Sequence, residues 1–377
     1  MDKYIFDNFK ALLLLVSIGV VVSCSAKKDK DVEKKPTQIA IKNWMPKSIH
    51  KAGDHTVKKP QFPAIDLHAH DYATTPEEVE RRVEIMDKAG IEKSVVFTGA
   101  TGAKFDSVYA LYSEYPDRFD VYCGIDFSGY KEEGWSDKAV KELERCEKVG
   151  AGGIGELHDK GGGLVDGMHP NDPRMEPVFE AAADLNLPIN LHVADPIWMY
   201  EPMDSTNDGL IRAYTWRIKD KENIISHDGM LSILDKTLER NPNTTFVAAH
   251  LANSTDDLDK LGELLDKHPN LYADVSARFA EFSTIPRTAS DFFEKYQDQI
   301  VYGTDYGWET FDNNTDYGNH TSTLDMFRMT FRVLETRDEH FYMTDLVGYK
   351  WPMYGLDMSE KALKKIYREN ALNIIKQ

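Results

Sequence analysis

A chain of 377 residues with 41% hydrophobic and 29% charged side chains can bury the core of one large globular domain. Its formal net charge of -18 sets up a field that repels phosphate backbones and anionic membrane surfaces, which excludes nucleic acid as a partner. Three cysteines in a chain of this length make no disulfide framework.

The first segment departs from this pattern. Lys3 and Lys10 precede an apolar run at 11–22, and Ser23 and Cys24 follow it, in the order of a signal peptide. Val21-Val22-Ser23-Cys24 resembles the bacterial lipobox, which implies cleavage before Cys24 and acylation of that cysteine. The run is short for a spanning helix, so a lipid anchor is preferred to an uncleaved membrane anchor; either one places the rest of the chain outside the cytoplasm. Residues 25–60 begin rich in Lys and Asp without apolar periodicity and read as a solvated tether, with Trp44, Met45 and Ile49 expected to pack on the domain that follows. Cys123 and Cys146 read as core thiols.

From Pro63 onward, short apolar or β-branched runs alternate with longer amphipathic stretches, the pattern of repeated βα units on a parallel sheet. The runs predict strands at 64–68, 93–98, 119–126, 152–156, 189–193, 245–250, 271–276 and 299–304. The first helix is predicted at 76–89, with Thr75 as N-cap and Gly90 as C-cap. Further helices are predicted at 136–149, 175–185, 230–240 and 256–267. No Gly-rich phosphate loop follows the first strand, which disfavours an open doubly wound sheet. The expectation is an α/β fold, a (β/α)8 TIM barrel forming a single catalytic domain over 61–377.

Barrels place their active sites at the C-terminal ends of the strands, so the residues that end each run matter most. The first run ends in His68-Ala69-His70, whose side chains leave an extended chain on one face. Glu156 ends the fourth run, His192 the fifth and His250 the sixth, while Asp305 follows the eighth. Imidazoles and a carboxylate together suit zinc or a similar divalent ion. His68, His70, His192 and Asp305 are therefore read as ligands of one divalent metal, and His250 as the residue that orients or deprotonates the water it activates, with Asp305 able to share that proton work. His158, His169 and His227 are read as structural.

Ile65-Asp66-Leu67-His68-Ala69-His70, Pro188-Ile189-Asn190-Leu191-His192, Phe246-Val247-Ala248-Ala249-His250 and Ile300-Val301-Tyr302-Gly303-Thr304-Asp305 together resemble the amidohydrolase superfamily. Within it they are similar to the amidohydrolase-related group that includes aminocarboxymuconate semialdehyde decarboxylase-like and resorcylate decarboxylase-like enzymes. The resemblance covers 64–377. It implies that the paired histidines, the strand-five histidine and the strand-eight aspartate hold one metal, often zinc, while the strand-six histidine assists its water. Binuclear members bridge two ions near the end of strand four, so Glu156 is read as a bridge to a second ion, as a substrate contact, or as a structural residue.

After the fifth strand, residues 194–228 form a long segment with Trp198, Tyr200, Arg212, Trp216 and Arg217, suited to a substrate ring or sugar or to a lid packed on itself. Arg278, just past strand seven, is the candidate for a substrate carboxylate. The expected activity is metal-dependent hydrolysis of a small organic or glycan-derived substrate. A non-oxidative decarboxylase comes second, and a non-catalytic binding protein on a barrel scaffold is a distant third.

Overall fold

The structure is a computed structural model that describes residues 39–53, 55–70, 73–211, 217–307, 323–343 and 350–375. The apolar run at 11–22, Cys24, Arg212 and Trp216 lie outside the described residues. The chain divides into two compact units, Met1–Asn43 and Trp44–Gln377. The described part of the first is a 3-10 turn at Ile41–Asn43, with Ile39 and Ile41 exposed. No helix among the described residues is long and apolar enough to cross a membrane.

The second unit is a closed barrel. Its strands are β1 (Ala64–His70), β2 (Ile91–Phe97), β3 (Phe119–Cys123), β4 (Gly153–Asp159), β5 (Ile189–Val193), β6 (Phe246–Ala248), β7 (Leu271–Asp274), β8 (Ile300–Val301) and β9 (Tyr306–Gly307). They lie in the order β8-β7-β6-β5-β4-β3-β2-β1-β9, each neighbouring pair parallel. Only residues 302–305 separate β8 from β9 along the chain, so the two ends of the sheet meet there. Leu67 N–H donates to Tyr302 O (3.0 Å), and the amides of Thr304 and Asp305 donate to His68 O (3.2 and 2.8 Å). Gly303 is required at this seam: a Cβ there would stand 2.8 Å from His68 Cβ.

Ile65, Leu67, Val95, Phe97, Tyr122, Val247 and Val301 fill the barrel with Ile374 and Ile375, while a larger apolar layer lies between the sheet and its helices. The first helix, α1 (Pro76–Ala89), forms where the sequence places it. Thr75 accepts from Glu78 N–H (3.3 Å), Glu78 accepts from Thr75 N–H (3.2 Å), and Gly90 closes the helix at φ 82°. Val79, Met86 and Ala89 face the sheet, and the buried Arg82 donates to His70 O (3.2 Å), fixing the end of β1.

Most strand ends lie a few residues from expectation, the third stopping at Cys123 and the fourth running on to Asp159, and two strands change more deeply. β6 stops at Ala248 because His250, Leu251, Ala252 and Asn253 take φ values of 59°, 55°, 51° and 55°, a left-handed turn that leaves the sheet. Such a backbone costs about 1–2 kcal/mol per residue, so other contacts must hold it. The eighth strand is broken into β8 and β9 at Asp305, whose φ is 65°. Trp44, Met45 and Ile49, expected to pack on the domain, are exposed, Ile49 by 87%. Contact there is polar instead: Lys350 Nζ donates to Trp44 O (2.8 Å), and Asp338 accepts from His55 N–H (2.9 Å).

Away from the strand ends, Glu142 joins α3 (Trp135–Val149) to the start of α2 (Gly102–Tyr112). It accepts from Arg145 Nη2 (2.8 Å), Gly102 N–H (2.7 Å) and Cys146 Sγ (3.3 Å). Arg145 is the main reason that the Glu142 carboxyl is pulled down to about 2, with burial opposing. A carboxyl lowered by folding adds stability above its unfolded pKa of about 4.3 and loses it as pH falls through 2. Glu142→Gln should therefore cost about 1–2 kcal/mol at pH 7. In urea unfolding, that difference should shrink steadily from pH 5 toward pH 2; a constant gap would refute the charge-based account.

Candidate metal centre

The side chains singled out at the strand ends converge. Burying a carboxylate is costly unless partners surround it, and Glu156, on β4, is buried among imidazoles. Its Oε1 lies 2.7 Å from His192 Nδ1 and 3.4 Å from His250 Nε2. Its Oε2 lies 2.7 Å from His158 Nε2, 3.4 Å from His70 Nε2 and 3.6 Å from His68 Nε2. Asp305 Oδ1 completes the ring, 2.8 Å from His70 Nε2 and 3.5 Å from His68 Nε2. The left-handed backbone at Asp305 is what turns this side chain back over β1.

Among the described residues, Nε2 of His68 is fully buried and has no hydrogen-bond partner, although two carboxylates face it. Leaving such an atom unpaired is expensive, so the gap is shaped for something else. Donors placed about 2.1 Å from a tetrahedral ion stand about 3.4 Å from one another, close to the 3.4–3.6 Å that separate His68 Nε2 from both carboxylates and His70 Nε2 from Glu156, while His70 and Asp305 stand closer, at 2.8 Å. The residues fit a divalent cation. Among the described residues, donor atoms gather in two groups that share Glu156: one with His68, His250 and Asp305, the other with His158 and His192.

Charge follows the same plan. Burial lowers the affinity of His68 for a proton, but the Asp274 and Glu156 charges outweigh it and raise its pKa well above the usual histidine value. Burial raises Glu156, yet the His68 and His192 charges hold it well below the ordinary carboxylate range. Asp305 is likewise held low against burial by the His68 and His70 rings that face it. His250 goes the other way: burial, then the Arg278 and His192 charges, push it down to about 4.

The expected residues therefore occupy different places. His68, His70, Glu156, His250 and Asp305 meet in one cluster. His192 turns Nε2 to Ala194 O (2.9 Å) and meets the cluster through Glu156. Arg278 is 1% exposed and donates from Nε to Asn253 Oδ1 (3.0 Å) and from Nη1 to Ala277 O (2.9 Å), so it braces the left-handed turn rather than standing open to a substrate carboxylate. Trp198 is 8% exposed and packs with Met199, Tyr200, Met203, Leu210 and Ile218, a segment folded on its own side chains, while Arg217 is exposed. His169 and His227 stand outside the cluster, bonded to Asp159 (2.6 Å) and Asn253 O (2.9 Å).

Two residues escaped the sequence reading. His158 is bonded to Glu156 rather than merely structural, and its side chain is 50% exposed at the barrel mouth. Its spacing of two from Glu156, the same as that of His68 and His70, was the available signal. Asp274 accepts from His68 Nδ1 (2.9 Å), Asn190 Nδ2 (3.0 Å), His250 N–H (3.0 Å) and Ser276 N–H (3.1 Å), and also from Ser276 Oγ. An acid between Ala273 and Val275, both fully buried, was its signal, because such a run admits a charge only with partners.

Residues 49–376 match the family described as Amidohydrolase. No curated protein matches the chain. Among solved structures, it is similar to an uncharacterized TIM-barrel protein from Bordetella bronchiseptica at 15% identity, over 82% of this chain and 97% of that one, with a TM-score of 0.50. An amidohydrolase from Burkholderia multivorans with bound HEPES is 9% identical over 82% and 98% of the two chains, also with a TM-score of 0.50. IDCase from Metarhizium anisopliae in its apo form is 13% identical over 82% and 96%, with a TM-score of 0.49. At these identities the two likenesses with a TM-score of 0.50 speak to the barrel alone.

Proposed function

From the premise that the chain belongs to the amidohydrolase family, we propose that it is a metal-dependent hydrolase of a small organic or glycan-derived substrate. The observation that carries this reading is the unbonded, buried Nε2 of His68 facing Glu156 and Asp305. We assign the cation to His68, His70, Glu156 and Asp305, with His192 on the other oxygen of Glu156. A divalent ion there, zinc by the mixture of imidazole and carboxylate, would supply Lewis acidity and a nucleophile from water at neutral pH.

The residues of the chain do the rest. His250 has Nδ1 against Ser276 O (3.0 Å), so the ring donates there and turns a bare Nε2 inward. That nitrogen takes the proton of the attacking water and returns it to the leaving group. Phe97, with its ring 4.8 Å from that of His68, closes the floor of the site with apolar surface. His158 stands half exposed at the mouth, where an entering substrate meets it before Glu156.

Elemental analysis of the purified protein, beside a His68→Ala/His70→Ala variant, tests the assignment. About one equivalent of a divalent metal, lost in the variant, is expected. Two equivalents would assign a second ion to Glu156, His158 and His192. No metal in either protein, even after loading, would sink the reading. Turnover in ¹⁸O-labelled water then separates the chemistries: a hydrolase leaves solvent oxygen in its product, whereas release of carbon dioxide without such incorporation would replace the hydrolase with a carboxy-lyase.

A further inference from the structure

We infer that Asp274 is a positioning residue that sets the proton tautomers of two site histidines at once, His68 and His250. The inference rests on the metal-site reading above, since it concerns which lone pairs face the cation.

Asp274 ends β7 beneath the two rings, fully buried, and its oxygens divide the work. Oδ2 faces His68 Nδ1 (2.9 Å) and Asn190 Nδ2 (3.0 Å). Oδ1 accepts the amides of His250 (3.0 Å) and Ser276 (3.1 Å) and the Ser276 hydroxyl. An ionised carboxylate only accepts, so His68 must carry a proton on Nδ1, and its neutral ring, the form that can hold a cation, then has Nε2 bare. The Ser276 hydroxyl proton is committed to Asp274, so Ser276 Oγ offers only lone pairs to His68 Nδ1 (3.0 Å) and His250 Nδ1 (2.8 Å). His250 Nδ1 therefore also bears hydrogen, a conclusion that its 3.0 Å contact with Ser276 O supports independently. Through one buried carboxylate and one hydroxyl, both rings are left with bare Nε2 atoms, and both of these face Glu156, at 3.6 Å and 3.4 Å. Asp274 also accepts the first amide of the left-handed turn, so the same group holds the backbone that carries His250.

Asp274→Asn is the revealing change, because it keeps the shape and removes the acceptor-only character. With its NH2 toward His68, the amide forces the His68 proton onto Nε2, the atom that faces the cation. With its carbonyl toward His68, the NH2 instead meets the donors of His250 and Ser276. Zinc affinity, measured by competition with a chromophoric chelator, should fall about 10–100-fold in this variant while the circular dichroism of the protein is unchanged. Two-bond ¹H–¹⁵N correlations of ¹⁵N-histidine-labelled metal-free protein, assigned by single substitutions and recorded at a pH high enough to leave both rings neutral, should place both protons on Nδ1 in the wild type and move that of His68 in the variant.

Wild-type zinc affinity in a folded Asp274→Asn protein, within twofold, would overturn the inference. So would an Nε2–H tautomer at His68 or His250 in the wild type, a measurement that needs no variant to fold. A wild type that binds no divalent ion would instead overturn the proposed function and leave the tautomer result to stand or fall alone.

Discussion

Glutamine in place of Glu156 should cost the protein its metal: affinity is expected to drop by at least about 100-fold, and turnover of any substrate by about 10³-fold or more. The two oxygens of Glu156 lie 2.7–3.6 Å from five imidazole nitrogens, those of His68, His70, His158, His192 and His250. Glutamine keeps the volume but removes the charge that raises His68 and His192, and it turns a donor toward rings already donating elsewhere. Metal content after gel filtration, with circular dichroism as the control for folding, decides the matter. A folded Glu156→Gln protein that keeps its metal and its turnover would remove Glu156 from the ligand set.

The second large effect is one of stability. Phe331→Ala should lower the unfolding free energy by about 3–5 kcal/mol, read as a shift of the urea midpoint. Phe331 is fully buried in the helix Thr323–Glu335, 5.9 Å from the ring of Tyr302 and 5.9 Å from that of Tyr367. Tyr302 is the first residue of the barrel seam, and its amide donates to Ile366 O (2.8 Å) while its hydroxyl pairs with Thr330 Oγ1 (2.7 Å). Emptying that space takes support from the backbone that carries Asp305. Phe331→Leu, which keeps most of the volume, should cost less than about 1.5 kcal/mol. Equal losses from the two changes would show that the aromatic packing at the seam contributes little.

The sequence makes the barrel legible because period and punctuation agree. β5 falls on 189–193 and the first helix on 76–89, as expected, where Thr75, Pro76 and Gly90 mark the ends. Elements that depend on distant partners are harder to read. His250-Leu251-Ala252-Asn253 contains no glycine, and nothing in its side chains announces a left-handed backbone; the turn exists because Asp274 and Arg278 hold it from β7 and its exit. The split of the eighth strand depends in the same way on His68 O, which draws the amides of Thr304 and Asp305 out of line. His68, His70 and Asp305 were visible because strand ends in a barrel point to one place. The central position of Glu156 was not, since its meaning comes from histidines on three other strands or strand ends and one on its own. Arg278 reads from the sequence as a substrate contact because a cation lies near the mouth; its bond to Asn253 depends on the left-handed turn and had no signal in the sequence.

The seam between β1 and the broken eighth strand also governs how the molecule comes to exist. His70 and Asp305, 2.8 Å apart, are separated by 235 positions along the chain. Bringing together the ends of a loop that long costs about 5 kcal/mol of chain entropy before any contact repays it. Pairings this remote form late, after the local βα units have collapsed. A full set of donors is therefore absent from every species in which the ring is still open, and capture of a cation by the proposed site would be a kinetic reporter for the final act of folding.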